Sequence, residues 1–313
     1  MTGVDPLVTV LLATHNGAEF LGDQLTSLAV QRHQNWVLRV GDDRSTDGTS
    51  GLLETYQRHM PVGRVTIAAG PGRGATANFL ALLAGTGPQD GHLAFCDQDD
   101  IWLSEKLERA VGALAEVTGP ALYACAVVIT DAAAQGVQVS ALPRRPLGFQ
   151  HTLAENVLTG NAMVLNPQAA DLVRAALVGC QDLTALEAGF HDWFCLQVVT
   201  AAGGRVIFDP VPGLRYRQHA GNLVGSGQAA GRVWARIGRV LAGAYGTAVR
   251  RQAEGLLACP GLSMQARRQV TALLALRGMW FWQRGPVIRE LGLYRQRGLE
   301  NLVLQVLLWT GRI

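Results

Sequence analysis

Only 16% of this 313-residue chain is charged, and no apolar stretch reaches the length of a membrane span. Low charge combined with high aliphatic and glycine content excludes a disordered polyampholyte. There is no low-complexity tract and no repeat of fixed period. The opening does not read as a signal peptide, because the first apolar run is short and follows Asp5 and Pro6. Cysteine is scarce: Cys96, Cys125, Cys180, Cys195 and Cys259 show no paired spacing. That pattern points away from a zinc site or disulfide frame and toward reduced, buried thiols in a cytoplasmic protein. Lysine is missing from residues 229–313, which hold 13 Arg against Glu254, Glu290 and Glu300, a net charge of +10. The first 228 residues carry −7, and the whole chain +3.

The charge changes sign near Gly221-Asn222-Leu223-Val224-Gly225-Ser226-Gly227, a Gly/Ser-rich stretch with the composition of a linker. Two regions follow: a domain over residues 1–225 and a basic, mainly helical region over 226–313. In the first, short apolar runs end repeatedly in polar clusters. Leu7–Ala13 leads into Thr14-His15-Asn16-Gly17, and Trp36–Val40 into Gly41-Asp42-Asp43-Arg44-Ser45-Thr46-Asp47-Gly48-Thr49. Val65–Ala69 leads into the glycine-rich loop Gly70–Asn78, and Leu93–Cys96 into Asp97-Gln98-Asp99-Asp100. Helical patterns lie between, the clearest with Leu21, Leu25 and Leu28 on one face. Apolar strands alternating with amphipathic helices predict an α/β fold: a Rossmann-type, mostly parallel sheet flanked by helices. The polar clusters then converge on the carboxyl edge of the sheet, where open α/β sheets bind ligands.

The acid cluster is the most telling. Asp97 and Asp99, at i and i+2, project to one side of an extended segment and can share a hard cation. Three crowded carboxylates otherwise repel one another. Read alone, the cluster fits equally an acidic turn with Asp100 near a helix start.

Together, Thr14-His15-Asn16-Gly17, Asp42–Thr49, Asp97-Gln98-Asp99-Asp100-Ile101-Trp102, His191-Asp192-Trp193 and Tyr216-Arg217-Gln218-His219-Ala220-Gly221-Asn222 resemble the motifs of family 2 glycosyltransferases. The resemblance spans roughly residues 5–225 and is strongest to rhamnosyltransferase-like members. It departs at His15, where the family usually has Tyr. It implies a GT-A-like fold and an inverting, metal-dependent hexosyltransferase with a nucleotide-diphosphate-sugar donor. Thr14, Asn16, Asp43, Arg73, Asp97 and Arg217 would bind the nucleotide sugar, with Asp43 accepting from a pyrimidine N–H. Mn²⁺ or Mg²⁺ would sit on Asp97, Asp99 and His219, and imidazole suits Mn²⁺ better than Mg²⁺. Asp192 would be the general base that takes the acceptor hydroxyl proton. An ordinary helix N-cap is the plainer role for it. Trp102, Asn161, His191 and Trp193 would face the sugar or acceptor; packed aromatics and a buried histidine are the plainer roles. Asp100 is structural or a sugar contact, and Asn78 a loop brace or a site residue.

The C-terminal region reads as helices, with Val233, Ile237, Val240 and Leu241 alternating with Arg232, Arg236 and Arg239. Later segments carry Trp280-Phe281-Trp282 and Leu302–Trp309. Arginines and aromatics on amphipathic helices fit peripheral attachment to an anionic membrane face. Packing on the first domain fits as well. Pro143-Arg144-Arg145-Pro146 is either a loop that closes on donor binding or a surface connection. The expected partners are the donor and a glycan or lipid-linked acceptor in bacterial polysaccharide synthesis, without nucleic acid. The alternatives are a non-catalytic sugar-nucleotide scaffold, a nucleotidyltransferase, or a nucleic-acid-binding protein using the arginine-rich tail.

Overall fold

A computed structural model gives the structure, which describes residues 5–136, 138–180, 183–187, 189–219 and 243–313. The expected linker, the 225/226 boundary, the end of the Tyr216–Asn222 motif and the Arg232–Leu241 helix lie outside these residues. The chain runs β1 (Val8–Thr14), α1 (Ala18–Ala29), β2 (Trp36–Asp42), α2 (Thr49–His59), β3 (Val65–Ala69), α3 (Ala75–Ala84), β4 (His92–Asp97), β5 (Ile101–Trp102) and α4 (Lys106–Ala115). Then come β6 (Ala121–Thr130), β7 (Gln138–Val139), α5 (Phe149–Thr152), β8 (Met163–Leu165), α6 (Pro167–Val178), α7 (Thr184–Glu187), α8 (His191–Ala201) and β9 (Arg205–Arg217). The C-terminal region supplies α9 (Ala244–Ala258), α10 (Met264–Ala275), α11 (Phe281–Leu291) and α12 (Gly298–Thr310).

The strands form one sheet in the order β3-β2-β1-β4-β8-β6-β9-β5, with β7 beside β6. The long ladders, β1 with β2 and β4, β2 with β3, and β6 with β9, are parallel. β8 runs antiparallel between β4 and β6. The fold is GT-A-like, a mostly parallel sheet flanked by helices. Its register sets the site: Thr14 lies opposite Asp42, Asp42 opposite Ala69, and Ala13 opposite Asp97. Four strand ends therefore open onto one edge, at the point where the chain order reverses around β1.

Strand alternation divides the core. Val8, Val10 and Leu12 face one cluster with Leu21, Leu25, Leu28 and Leu107, while Leu11 and Ala13 face another with Phe79, Phe95, Val173 and Phe194. A period of two puts successive side chains on opposite faces, and both faces are covered by helices, so the strands are apolar throughout. The second cluster continues into the C-terminal helices through Val249, Ala253, Leu256, Val270, Leu273, Leu304, Leu307 and Leu308. Those helices pack on the sheet-bearing domain through their buried faces.

One expectation is corrected. Cys180 and Cys259 form a disulfide across 79 residues, while Cys96, Cys125 and Cys195 are free and buried. The pair has no sequence signature because packing of the α9 end against the α6 end brings the two sulfurs together. The argument for a reducing compartment from cysteine usage therefore does not hold for these two. The Pro143–Pro146 loop is a latched connection here: Gln296 Oε1 accepts the N–H groups of Arg144 and Arg145, each at 2.8 Å, and the Tyr294 hydroxyl donates to Pro146 O at 2.7 Å.

Candidate active site

The loop after β1 is held from both sides. Thr14 donates to Asp42 Oδ1 at 2.9 Å, where Ser45 also donates at 2.6 Å. Asn16 adopts φ 46°, a left-handed conformation asparagine tolerates. Its side-chain oxygen accepts from Thr46 N at 2.8 Å. His15 is clasped by Gln98, which accepts from its N–H at 2.8 Å and donates to its carbonyl at 3.0 Å. Gln98 thus ties the β1 loop to the acid loop, and its place between the two aspartates was the signal for it. Asp47 accepts from the N–H groups of Thr49 and Ala18, at 2.9 and 3.1 Å, joining the starts of α2 and α1.

Asp43 is buried and gathers the glycine-rich loop, accepting from the N–H groups of Gly72 and of Gly74, the latter at 2.8 Å. Gly72 has φ 73°, a left-handed conformation that favours glycine. Asn78 is the loop brace: its amide donates to Gly41 O at 2.7 Å. Arg73 pairs with Glu187 at 2.9 Å, tying the glycine-rich loop to α7.

At the end of β4 the acids separate by environment. Asp97 is driven upward from the usual carboxylate range by burial, with the charges of Asp99 and Asp192 adding to it. Asp99 meets His219 Nε2 at 2.7 Å. Asp100 is fully buried, accepting from Asn161 Nδ2 and, at 3.3 Å, from Arg217 N. Burial, then Asp97 and Asp99, hold its carboxyl well above the usual range. Asp100 is therefore an internal brace. Arg217 is buried too, pairing with Asp23 at 2.7 Å and lying 4.7 Å from the Phe20 ring centre, so it anchors the β9 end to α1.

Asp192 is the second residue of α8. The N-cap is Phe190, which gives no side-chain cap, so the plain capping role does not apply to Asp192. Its carboxylate accepts from Trp193 N at 2.6 Å and Gly160 N at 3.1 Å. Burial pushes its pKa up to about 6. His191 stacks on Phe79 with ring centres 4.0 Å apart, and burial pulls its pKa down to about 3, so it is neutral. A side chain at Gly160 would sit 2.6 Å from His191 Nε2.

Three expected sugar- or acceptor-side residues lie elsewhere. Trp102 is 2% exposed and stacks beneath Lys106, whose Nζ is 3.3 Å from its ring centre. Trp193 is buried, with its indole N–H on Thr152 O at 2.6 Å. Asn161 is buried against Asp100. Strand and helix periodicity turns these side chains inward, so they support the site without facing it. Lys106, buried with its ammonium over Trp102, went unnoticed in the sequence. Its signal is that it is the one lysine in the chain.

The residues expected to hold a cation are Asp97, Asp99 and His219, and the structure pairs Asp99 with His219. Among the described residues no three His, Cys, Asp or Glu side chains are gathered tightly enough to enclose a metal by themselves. Two carboxylates and an imidazole nevertheless suit a divalent ion that completes its shell with water and substrate phosphates. Burial is the larger cause of the rise at Asp97, and the repulsion from Asp99 and Asp192 that adds to it is what such an ion would relieve.

Residues 9–162 match the family model of Glycosyl transferase family 2, so this part of the chain is a domain of that family. The dTDP-rhamnosyl transferase RfbG of Shigella flexneri is 23% identical over 231 residues, 73% of this chain and 78% of RfbG. Among solved structures, S. aureus TarS 1–349 in complex with UDP-GlcNAc has a TM-score of 0.54 at 14% identity, covering 85% of this chain and 70% of TarS 1–349. The mannosyltransferase PcManGT from Pyrobaculum calidifontis, in complex with GDP-Man and Mn²⁺, has a TM-score of 0.52 at 17% identity, covering 97% of this chain and 87% of that one. These structures share the GT-A fold. The protein is a glycosyltransferase.

Proposed function

We propose that the protein transfers a hexose from a nucleotide-diphosphate sugar to an acceptor hydroxyl with inversion, in bacterial polysaccharide or glycan synthesis. The observation that carries this is a bridge of two adjacent residues. The Gly160 N–H holds the Asp192 carboxylate and Asn161 holds Asp100, so the candidate base is indexed to the acid loop at the sheet edge. Asp192 removes the hydroxyl proton as the acceptor oxygen bonds to the anomeric carbon. The bond from that carbon to the diphosphate breaks on the opposite face, which inverts the centre and releases the nucleoside diphosphate. A base with a pKa near 6 is well matched to this task at neutral pH.

Thr14, Asn16 and Asp43 shape the nucleotide side, and Arg73 reaches it from the adjoining loop. Arg217 acts from behind, by holding the β9 end against α1. Asp97, Asp99 and His219 would hold Mn²⁺ or Mg²⁺, which supplies positive charge to the departing diphosphate. The PcManGT complex contains Mn²⁺ with its nucleotide sugar. The RfbG likeness supports dTDP-rhamnose as the donor. The acceptor is a glycan or lipid-linked hydroxyl, met in the cytoplasm at the inner face of the cell membrane. No helix among the described residues is long and apolar enough to cross a membrane; the contact is peripheral.

The test is a panel of nucleotide sugars with Mn²⁺, scored by thermal shift and by product. The expected donor stabilises the fold and yields free nucleoside diphosphate with the sugar on an acceptor. Release of pyrophosphate would identify a nucleotidyltransferase instead. Binding without any turnover would leave a scaffold.

A further inference from the structure

The two C-terminal helices each bury one apolar face and leave a second one outside. α11 buries Ile288 and Leu291, and α12 buries Leu304, Leu307 and Leu308. On the outside, Trp280, Phe281 and Trp282 open α11. Leu299, Leu302, Val306 and Trp309, at successive spacings of three, four and three, line one face of α12. All seven are between 46% and 73% exposed. The aromatic residues form one group, with Trp280 and Trp282 stacked at 5.1 Å and Phe281 edge-on to Trp282 at 5.0 Å. The α12 stripe meets α11 at Gly285, one turn beyond Trp282, where an added Cβ would lie 2.9 Å from the Trp309 ring. Arg284 Nη1 fastens the junction by donating to Trp309 O at 2.7 Å. A soluble monomer seldom leaves so many large apolar side chains adjoining one another in water.

The charge around this surface selects its partner. Arg277, Arg289, Arg297 and Arg312 are exposed on and beside the two helices, against Glu290 and a Glu300 already paired with Arg295 at 3.2 Å. The turn between the helices also latches Arg144 and Arg145, both exposed, through Gln296. Tryptophan rings sit well at the boundary of headgroups and acyl chains, and arginines keep their charge at the phosphates while their stems lie in the apolar layer. We propose that the outer face of α11 and α12 is a membrane-docking surface, in which Trp280, Phe281, Trp282 and the Leu299–Trp309 stripe enter the interface of an anionic bilayer and the arginines engage its phosphates. This rests on the reading that the acceptor is met at a membrane, and it names the surface that makes the contact.

The experiment is cosedimentation of the full chain with vesicles of phosphatidylcholine alone and of phosphatidylcholine with phosphatidylglycerol. Binding to the anionic vesicles is expected, weakening as salt rises, with a blue shift of tryptophan emission. The paired changes Trp280→Ser with Phe281→Ser, and Leu302→Ser with Val306→Ser, should each cut partitioning at least tenfold while leaving the melting temperature unchanged. Arg289→Glu with Arg297→Glu should weaken anionic binding in a fold whose apolar face is intact. Equal binding to neutral vesicles, variants that bind like the wild type, or reversible dimerisation through this face without lipid binding would each overturn the proposal. Nucleotide-sugar turnover is measured separately in lipid-free solution. Its absence beside intact vesicle binding would count against the transfer reading and leave the docking surface standing.

Discussion

The Asp192 carboxylate accepts the Gly160 backbone N–H at 3.1 Å, and this contact joins two segments separated by 32 residues. Gly160 is tightly confined, because any side chain there would run into His191. Its neighbour Asn161 grips Asp100 in the acid loop. The candidate base and the acid loop are thereby built on one rigid frame, as the proposed transfer between two bound partners requires.

Asp192→Asn should lower single-turnover transfer by about 10²–10⁴ at saturating substrates, the usual span for a lost acid–base group. Donor affinity should stay within a few-fold, since the acid loop is intact. In the wild type the carboxylate form is the active one, so turnover should rise with pH through about 6 and level off above it. A variant rate within about threefold of wild type, or a flat pH profile from 5 to 8, would move the base elsewhere.

Chelation should abolish transfer, and Mn²⁺ should restore it. Asp99→Asn should keep the melting temperature, because Asp99 is partly exposed and Asn can still bond to His219, yet it should lose most activity. It should also need far more Mn²⁺ for half-maximal rate. Full activity in chelator would remove the cation from the site.

Asp43→Ala should weaken donor binding by about 1.5–3 kcal/mol, the range for a hydrogen bond to a charged group. The Gly72 and Gly74 N–H groups would lose their acceptor as well, so the glycine-rich loop should exchange its amide hydrogens faster. Unchanged nucleoside diphosphate affinity by calorimetry would place Asp43 outside donor recognition.

Glu155 fixes the C-terminal region to the catalytic domain through Arg295 and, at 3.0 Å, the N–H of Gln296. Burial opposes its ionisation, but nearby His151, at 3.5 Å, and the hydrogen-bonded Arg295 outweigh that and hold its pKa at about 2, below the ordinary 4.5. The unfolded chain therefore binds the proton first. Stability from this group is complete above pH 4.5 and is lost as pH falls toward 2. Glu155→Gln should destabilise by up to ~3–5 kcal/mol at neutral pH, less whatever Glu300 recovers by pairing with Arg295. The variant should show a smaller acid-side loss of melting temperature; an unchanged acid profile would refute the assignment.

The sequence by itself determined the sheet and the edge that matters. Continuous apolar runs such as Leu7–Ala13 can only be strands covered on both faces, and polar clusters after each run must gather at the carboxyl edge because the strands are parallel. The placement of Thr14, Asp43, Asp97 and Asp99 at the ends of β1, β2 and β4 was legible because each follows an apolar run. Only the tertiary structure decided which way the side chains around them turn. Trp102 and Trp193 sit inside the same motifs as the site residues, yet their strand and helix phase points them into the core, and Asn161 is turned inward onto Asp100, where burial of apolar area and paired polar groups is worth more than contact with substrate. The Cys180–Cys259 bond, the Arg217–Asp23 pair and the Glu155–Arg295 clamp join residues 79 to 194 positions apart. No local pattern encodes such pairs. They exist because packing of α1 and the C-terminal helices brings those side chains within bonding distance, and that is a property of the folded chain alone.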